Sequence, residues 1–386
     1  MSYYIGIDIG GTFTDGVIMD ENGQVYTTKV PSTPSDFSIG FYNALNEGAK
    51  KFGHSVEELL SKTSLLVHGT TVATNIMVQM RGSRTGIITT KGHEDAILMM
   101  RAYGRSAGLP LEQLLHTSLH RKPDPIVPRH FIKGVSERMD WQGNVVVPLS
   151  EDEVRQAVKE LVEEGIEAIG ISFLWGFVNE RHEHRVREIV SEIAPDIFVS
   201  CSSDLIAKIG EYERTAAAAI NSYVGPVSAR YMNSINYRVH ETGYNYPLLI
   251  MQASGAVVTA EKAAQSPLFS IGSGPVGGVM GSNTLGNLLD CPNVIATDMG
   301  GTTFDAGLVY KGEPIRTSST TINQYTFYMP CVDVRSIGSG GGTIIWYDPA
   351  SKTIKAGPHS AGADPGPACC NLGGQEPTIT DADVYL

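Results

Sequence analysis

The 386-residue sequence predicts an α/β fold of two related lobes with a further α/β section inserted. The first observation behind this is a repeat. Asp8-Ile9-Gly10-Gly11-Thr12-Phe13-Thr14-Asp15 returns as Asp298-Met299-Gly300-Gly301-Thr302-Thr303-Phe304-Asp305, with five of eight positions identical. Each copy ends a strand-like apolar run and precedes a second run and a turn, Asn22-Gly23 or Lys311-Gly312, so each reads as a β-hairpin bent at the motif. The second observation is alternation of strand-like and helix-like runs over residues 85–205, the pattern of a parallel or mixed sheet covered by helices. The third is a small-residue run, Ser273-Gly274-Pro275-Val276-Gly277-Gly278-Val279, shortly before the second copy. Residues 1–84 then begin the first lobe, 85–205 form the insertion, 206–285 a helical return and hinge, and 286–386 the second lobe.

Taken in order, the chain enters a strand at Tyr3. No basic start and no apolar stretch suited to a signal peptide or membrane span precedes or follows it, which predicts a cytoplasmic protein. Two more strands lead to a helix over Asp36–Phe52, capped by Ser35 or Asp36. The run 64–67 ends in His68-Gly69-Thr70-Thr71, and a helix starts near Val72. Free N–H groups and hydroxyls at such a turn suit an anion. His68 there either donates to a carbonyl or phosphoryl oxygen, moves a proton, or simply buttresses the turn.

In the middle section a charged helix over Glu151–Glu164, a strand over Ile166–Phe173 and a helix over Glu180–Ile193 follow one another. His182-Glu183-His184 on that last helix reads as a solvated face and not a metal site, because residues two apart point to different sides. A long helix over Ile209–Val239, broken near Gly225-Pro226, opens with charged Glu211-Tyr212-Glu213-Arg214-Thr215. After a strand at Leu248–Met251, the small-residue helix can approach another backbone closely.

Paired glycines at a bend expose successive N–H groups without a Cβ in the way, which makes a cradle for phosphate oxygens. In these hairpins the leading carboxylates, Asp8 and Asp298, can hold Mg²⁺, in part through water. Two cradles would grip the β- and γ-phosphates of one nucleotide, with Gly10, Gly11, Thr12, Phe13 and Thr14 on one side and Gly300, Gly301, Thr302 and Thr303 on the other. Asp15 and Asp305 are then candidates to orient water or support the metal's shell. The alternative for either copy alone is an ordinary Gly-Gly turn. The glycine run Gly340-Gly341-Gly342 suits close approach to a base or ribose.

Lysine and arginine total 29 against 41 acidic residues, a net charge of −12, and no basic stripe offers a nucleic acid or anionic membrane a surface. The five cysteines show neither paired nor zinc-ligand spacing. Cys369-Cys370 is adjacent in a Gly/Pro-rich loop, where packing or a substrate-loop position outweighs a redox or metal role.

This arrangement resembles the nucleotide site of the actin/Hsp70/sugar-kinase-like (ribonuclease H-like) superfold, whose two lobes close on ATP. Within it, the chain is similar to the hydantoinase A/5-oxoprolinase family, which includes subunits of ATP-dependent acetone and acetophenone carboxylases. The resemblance rests on the two hairpin motifs, His68 to Asn75, Thr89 to Gly92, Glu211 to Thr215, Ser273 to Val279, Ser336 to Gly342 and Ser360 to Cys369. It departs slightly in Ser339 and Thr343, where relatives have alanine and serine. Relatives also continue well past Thr378 to Ala382, which implies a second lobe incomplete at the C-terminus, either a fragment or a lobe completed by another subunit.

The resemblance implies ATP and Mg²⁺ as cofactors and ATP-driven activation of a carbonyl oxygen, as in a cyclic amide hydrolase of the hydantoinase/5-oxoprolinase type. A ketone carboxylase using bicarbonate shares the motifs. It further implies that Arg214 faces the cleft and positions substrate or phosphate, that the glycine run lies on the adenosine side, and that a larger, hydantoinase B-type subunit is the partner. An actin- or chaperone-like conformational ATPase and a sugar kinase are the other classes. The absence of a separate peptide-binding region and the presence of His68 to Asn75 weigh against the first.

Overall fold

Tyr3–Ile9 and Phe13–Asp20 pair antiparallel with Asp8 opposite Asp15 and Ile9 opposite Thr14, closing a hairpin at the glycines. The computed structural model describes residues 2–11, 13–33, 36–109, 111–301, 303–362 and 365–386, without the side chains at 103, 111, 112, 119 and 358. Thr12, Ser35 and Thr302 lie outside the described residues. Strand alternation buries Tyr3, Ile5, Ile7 and Ile9 and turns Tyr4 and Asp8 to the other face. Val25–Pro31 extends the hairpin on one side, while parallel Thr63–Thr70, then Leu249–Met251 and Val257–Thr259, complete six strands on the other. Asp36 caps the helix Phe37–Lys51 by accepting from the Ser38 N–H at 2.9 Å, and Phe41 and Leu45 of that helix pack under the sheet.

A second sheet lies in the order Phe198–Cys201, Ala168–Ser172, Thr85–Thr90, Ile132–Val135, and every pairing is parallel. Its two central strands are buried along their whole lengths, as a parallel sheet covered on both faces requires. Helix Glu151–Glu163 supplies Val154, Val158 and Leu161 to this core, and helix Arg181–Ile193 supplies Val186, Ile189 and Val190. The expected solvated face at His182-Glu183 is instead interior. His182 lies 2.9 Å from Glu137, and Glu183 is fully buried.

The long helix runs unbroken over Glu211–Glu241 with Pro226 inside it. Its first half packs in the core of the parallel sheet and its second half, through Met232, Ile235 and Val239, in the core of the six-stranded sheet. Burial at both ends holds the helix through the proline, so tertiary packing overrides the expected break. Gly225 is required by contact, since a Cβ there would lie 2.3 Å from the Phe198 ring.

In the second lobe Val294–Met299 pairs with Phe304–Tyr310, placing Asp298 opposite Asp305 in the register of the first hairpin. Val334–Ile337 adds to Phe304–Tyr310, and helix Ser273–Leu288 covers one face through Val276 and Val279. The expected close approach is not seen in the middle of that helix, because a Cβ at Gly277, Gly278 or Gly281 would meet nothing within 4 Å, while one at Gly286 near its end would lie 2.7 Å from Val294. Opposite Val279 the close approach is made by the strand, where a Cβ at Gly307 would lie 2.3 Å from it. The hairpin of Arg316–Ile322 and Tyr325–Val332 sends Tyr325, Phe327 and Met329 into the core of the parallel sheet. No helix among the described residues is long and apolar enough to cross a membrane.

Candidate functional site

The two hairpins match beyond their register. In each, the second aspartate is tied to the strand beside it. Lys29 Nζ lies 2.7 Å from Asp15, its register partner, and Ser336, the register partner of Asp305, donates its hydroxyl to that carboxylate. The first aspartates carry no such bond among the described residues. Instead, Asp8 meets other carboxylates. Its carboxyl is pushed up from 3.8 to about 6, first by lost hydration and then by the negative charges of Asp15 and Asp298. The residue as a whole is exposed, yet the protein around its carboxyl removes part of that group's hydration.

What surrounds Asp8 is backbone. It is the register partner of Gly69, where a Cβ would stand 2.5 Å from its Oδ1, so only glycine fits. At the start of helix Ser273–Leu288, a Cβ at Gly274 would stand 3.6 and 3.8 Å from the two Asp8 oxygens. No side chain caps that helix, so its first turn beside Asp8 keeps backbone N–H groups without a side-chain partner among the described residues. Thr71 donates to the Ile9 carbonyl at 2.9 Å and Thr74 accepts from the Gly272 N–H at 2.9 Å, which locks the His68–Thr71 turn to both elements. On the second lobe a cavity of about 220 Å³ is lined by Pro275, Gly278, Asp298 and Asp305 among others. Larger open grooves, one of about 960 Å³ on the middle section and one of about 840 Å³ between it, the long helix and residues 261–266, include no hairpin residue.

Several expected site residues point elsewhere. Thr14 is fully buried and bonds Ser32 at 3.0 Å, because strand alternation puts it on the face opposite Asp15. Phe13 is exposed with Lys29 4.8 Å over its ring. The Gly10 N–H is spent on the Phe13 carbonyl at 2.9 Å, the Gly300 N–H on that of Thr303 at 2.9 Å. Thr303 is half-buried, its hydroxyl 3.4 Å from Asp305.

His68 is fully buried, with Nδ1 3.1 Å from the Ile7 carbonyl and Nε2 2.9 Å from the Tyr231 hydroxyl. These partners assign a neutral ring that donates to Ile7 and accepts from Tyr231. Burial holds its pKa down, from 6.5 to about 4, against the opposing bond to Ile7. Of the three roles left open for it, buttressing the turn is the one this geometry performs. The folded ring resists protonation, so this group's contribution to stability falls as pH drops from 6.5 toward 4. In an NMR titration its imidazole signals should stay those of the neutral tautomer from about pH 8 to about pH 5, and a transition near 6.5 would contradict the buried pair.

Arg214 requires a correction. It is 1 % exposed, with Nη1 3.1 Å from the Phe173 carbonyl and Nη2 3.0 Å from Glu183. Burial lowers its pKa against the pull of Glu183, and it faces no cleft. The helix opening that carries it turns into the core of the parallel sheet, where Arg101 pairs with Glu213 at 2.9 Å and Ser172 meets Thr215 at 2.9 Å. Gly341 and Gly342 bond the second hairpin's own backbone. Glu180, His184 and Asp204 bring ligand atoms within 4.8 Å of one another, a grouping the sequence did not reveal because Asp204 is far along the chain. Ion pairs of Asp204 with His184 and Arg187 already satisfy it.

Two like hairpins, each closing at a glycine pair with its aspartates in cross-strand register, define a two-lobed α/β protein. The chain belongs to the hydantoinase/oxoprolinase family. It matches the family models described as hydantoinase/oxoprolinase N-terminal region over residues 4–194 and hydantoinase/oxoprolinase over residues 214–386. It is 40% identical to the acetophenone carboxylase gamma subunit of Aromatoleum aromaticum, over 99% of this chain and 53% of that protein. The nucleotide-free structure of the ATP-dependent acetone carboxylase superposes with a TM-score of 0.86 at 33% identity, covering 100% of this chain and 55% of that one. The ATP-dependent caprolactamase of Pseudomonas jessenii gives a TM-score of 0.82 at 32% identity, covering 99% and 54%. The chain thus spans about half the length of the curated relatives it matches.

Proposed function

We propose that the chain is the ATP-binding part of an enzyme that phosphorylates a carbonyl oxygen to activate it, in the first reading the amide oxygen of a cyclic amide that water then opens. The observation that carries this is the pair of hairpins with cross-strand aspartates, in which Asp298 acts electrostatically on Asp8. Asp8 and Asp298, oxygen donors without a cationic partner among the described residues, fit Mg²⁺, which when bound would neutralise phosphate charge. The protein's own part is positioning. Gly11 and Gly301 turn backbone amides to the phosphates, and the uncapped turn at Ser273–Gly274 adds donors. Asp15 and Asp305, fixed by Lys29 and Ser336, stand beside them to hold water.

A second reading, ATP-dependent carboxylation of a ketone with bicarbonate, is favoured by the 40% identity to the acetophenone carboxylase gamma subunit. In either case the relatives named as gamma, alpha and beta subunits support a partner, which we take to be a larger, hydantoinase B-type subunit in a cytoplasmic complex.

The test is ADP and phosphate release by the purified complex with Mg-ATP, offered cyclic amides, acetone or acetophenone. Turnover with a cyclic amide and no bicarbonate is the expected result of the first reading. Turnover that needs a ketone and bicarbonate together selects the second. ATP hydrolysis indifferent to all of them would point to a conformational ATPase and overturn both.

A further inference from the structure

The glycine run at 340–342 is not free to meet a nucleoside. After strand Val334–Ile337 the chain crosses the glycine bend of the second hairpin, and the Gly341 N–H donates to the Gly300 carbonyl at 2.9 Å while the Gly342 N–H donates to that of Gly301 at 2.7 Å. The other side of the run is bonded too. The Gly341 carbonyl accepts from the Thr380 N–H at 2.8 Å, and that of Gly342 accepts from the Ala361 N–H at 2.8 Å and the Ser360 hydroxyl at 3.2 Å. The Gly340 N–H bonds buried Thr343 at 2.7 Å. Backbone thus lies against backbone, and a Cβ at Gly342 would stand 2.8 Å from the Gly301 oxygen, whereas one at Gly338 would meet nothing within 4 Å.

We propose that Gly341 and Gly342 form a strap that positions the second phosphate loop. It rests on the ATP-binding reading and names the device that presets that site. A peptide unit is planar and trans, so a Gly300 carbonyl held toward the strap turns the Gly301 N–H away from it. Among the described residues that N–H has no acceptor, which leaves it as a donor for an anion. The first loop is held in the same sense by a different means, the Ser32 hydroxyl on the Gly10 carbonyl at 2.8 Å. Each loop is therefore oriented before any ligand arrives.

The strap also gives two otherwise unassigned segments a role. Ser360 and Ala361 anchor Gly342, and Thr380 anchors Gly341. Asp381 closes a capping box on Thr378 and accepts from the Cys369 N–H at 2.7 Å, so Ser360, Ala361, Cys369 and the 378–382 segment are bonded directly or through one another to the loop.

The test uses the full-length protein in its complex and compares Gly342→Ala with the control Gly338→Ala by amide exchange and by ATP and GTP kinetics. In the wild type the Gly341 and Gly342 amides should be protected. In Gly342→Ala, exchange across 298–305 should rise roughly tenfold. Its kcat should fall about 10–100-fold with either nucleotide, with KM for ATP moving less than roughly threefold. Gly338→Ala should match the wild type. Unprotected Gly341 and Gly342 amides in the wild type overturn the strap even if the variant does not fold, and so does unchanged exchange across 298–305 in Gly342→Ala. A raised KM for ATP with kcat intact and an altered ATP/GTP preference also overturns it, in favour of a nucleoside contact. A complex that never turns over ATP, yet shows the exchange pattern, retains the strap and defeats the ATP reading instead.

Discussion

Asp8→Asn is expected to raise the melting temperature of the nucleotide-free protein near neutral pH and, in the same variant, to remove ATP turnover. The two effects have one cause. Asp8 is placed against Asp15 and Asp298 on a poorly hydrated cleft floor, and its carboxyl is raised from 3.8 to about 6. Between those values the folded protein holds a proton that the unfolded chain has released, so stability falls as pH climbs through the window and the penalty is complete above it. Asparagine removes the charge and the penalty. Because the residue as a whole is exposed the gain is screened, and a rise of about 2 °C is expected at neutral pH, with none at acid pH where Asp8 is already protonated. A cation held by Asp8 and Asp298 relieves the same repulsion, so Mg-ATP should stabilise the wild type more above pH 6 than below it. It should stabilise Asp8→Asn little. Loss of kcat should be at least about 10³-fold. Thermal melts at two pH values with and without Mg-ATP, beside steady-state kinetics, check both halves. Wild-type turnover in Asp8→Asn would remove the aspartate from the site.

The hairpins were legible because everything that defines them is local: an apolar run, a glycine pair, a second run and a turn, each within a few residues. Their register put Asp8 opposite Asp15 and Asp298 opposite Asp305 as the repeat implied. Strand parity was also available, and it rules out Thr14 and Asp15 sharing a face, yet the motif suggests Thr14 at the phosphate and Asp15 beside the metal in one cleft. Burial of His68 was not legible, since its partners Ile7 and Tyr231 come from distant segments. The same holds for Gly342, whose neighbours at Gly301 and Ala361 are set by tertiary structure. A glycine that admits a ligand and a glycine that admits another backbone look alike in sequence, and Gly277 and Gly307 were separated only by what a Cβ would meet.

Arg214→Ala should be the most destabilising of the single changes considered, and it discriminates between positioning substrate and holding the fold. Glu183 is fully buried and accepts from the Phe173 N–H at 2.9 Å, the Ser202 hydroxyl at 2.7 Å and the Ser203 N–H at 2.8 Å, with Arg214 as its cationic partner at 3.0 Å. Removing the guanidinium leaves a buried carboxylate without a counter-charge and the Phe173 carbonyl without that donor, a loss of about 3–5 kcal/mol. Lysine should not rescue it, because one ammonium cannot reach both acceptors in the planar geometry that Arg214 uses. Replacing the pair together by Arg214→Met and Glu183→Met should recover little, since the Phe173 and Ser203 N–H groups and the Ser202 hydroxyl then lose their acceptor. Denaturant melts of the four proteins measure this. Activity per folded molecule should be little changed, because the network lies in the core of the parallel sheet and not at the aspartate cleft. If Arg214→Ala melted like the wild type but lost kcat, the arginine would instead act on substrate, and the helix opening at 211–215 would have to reach the cleft in the working enzyme.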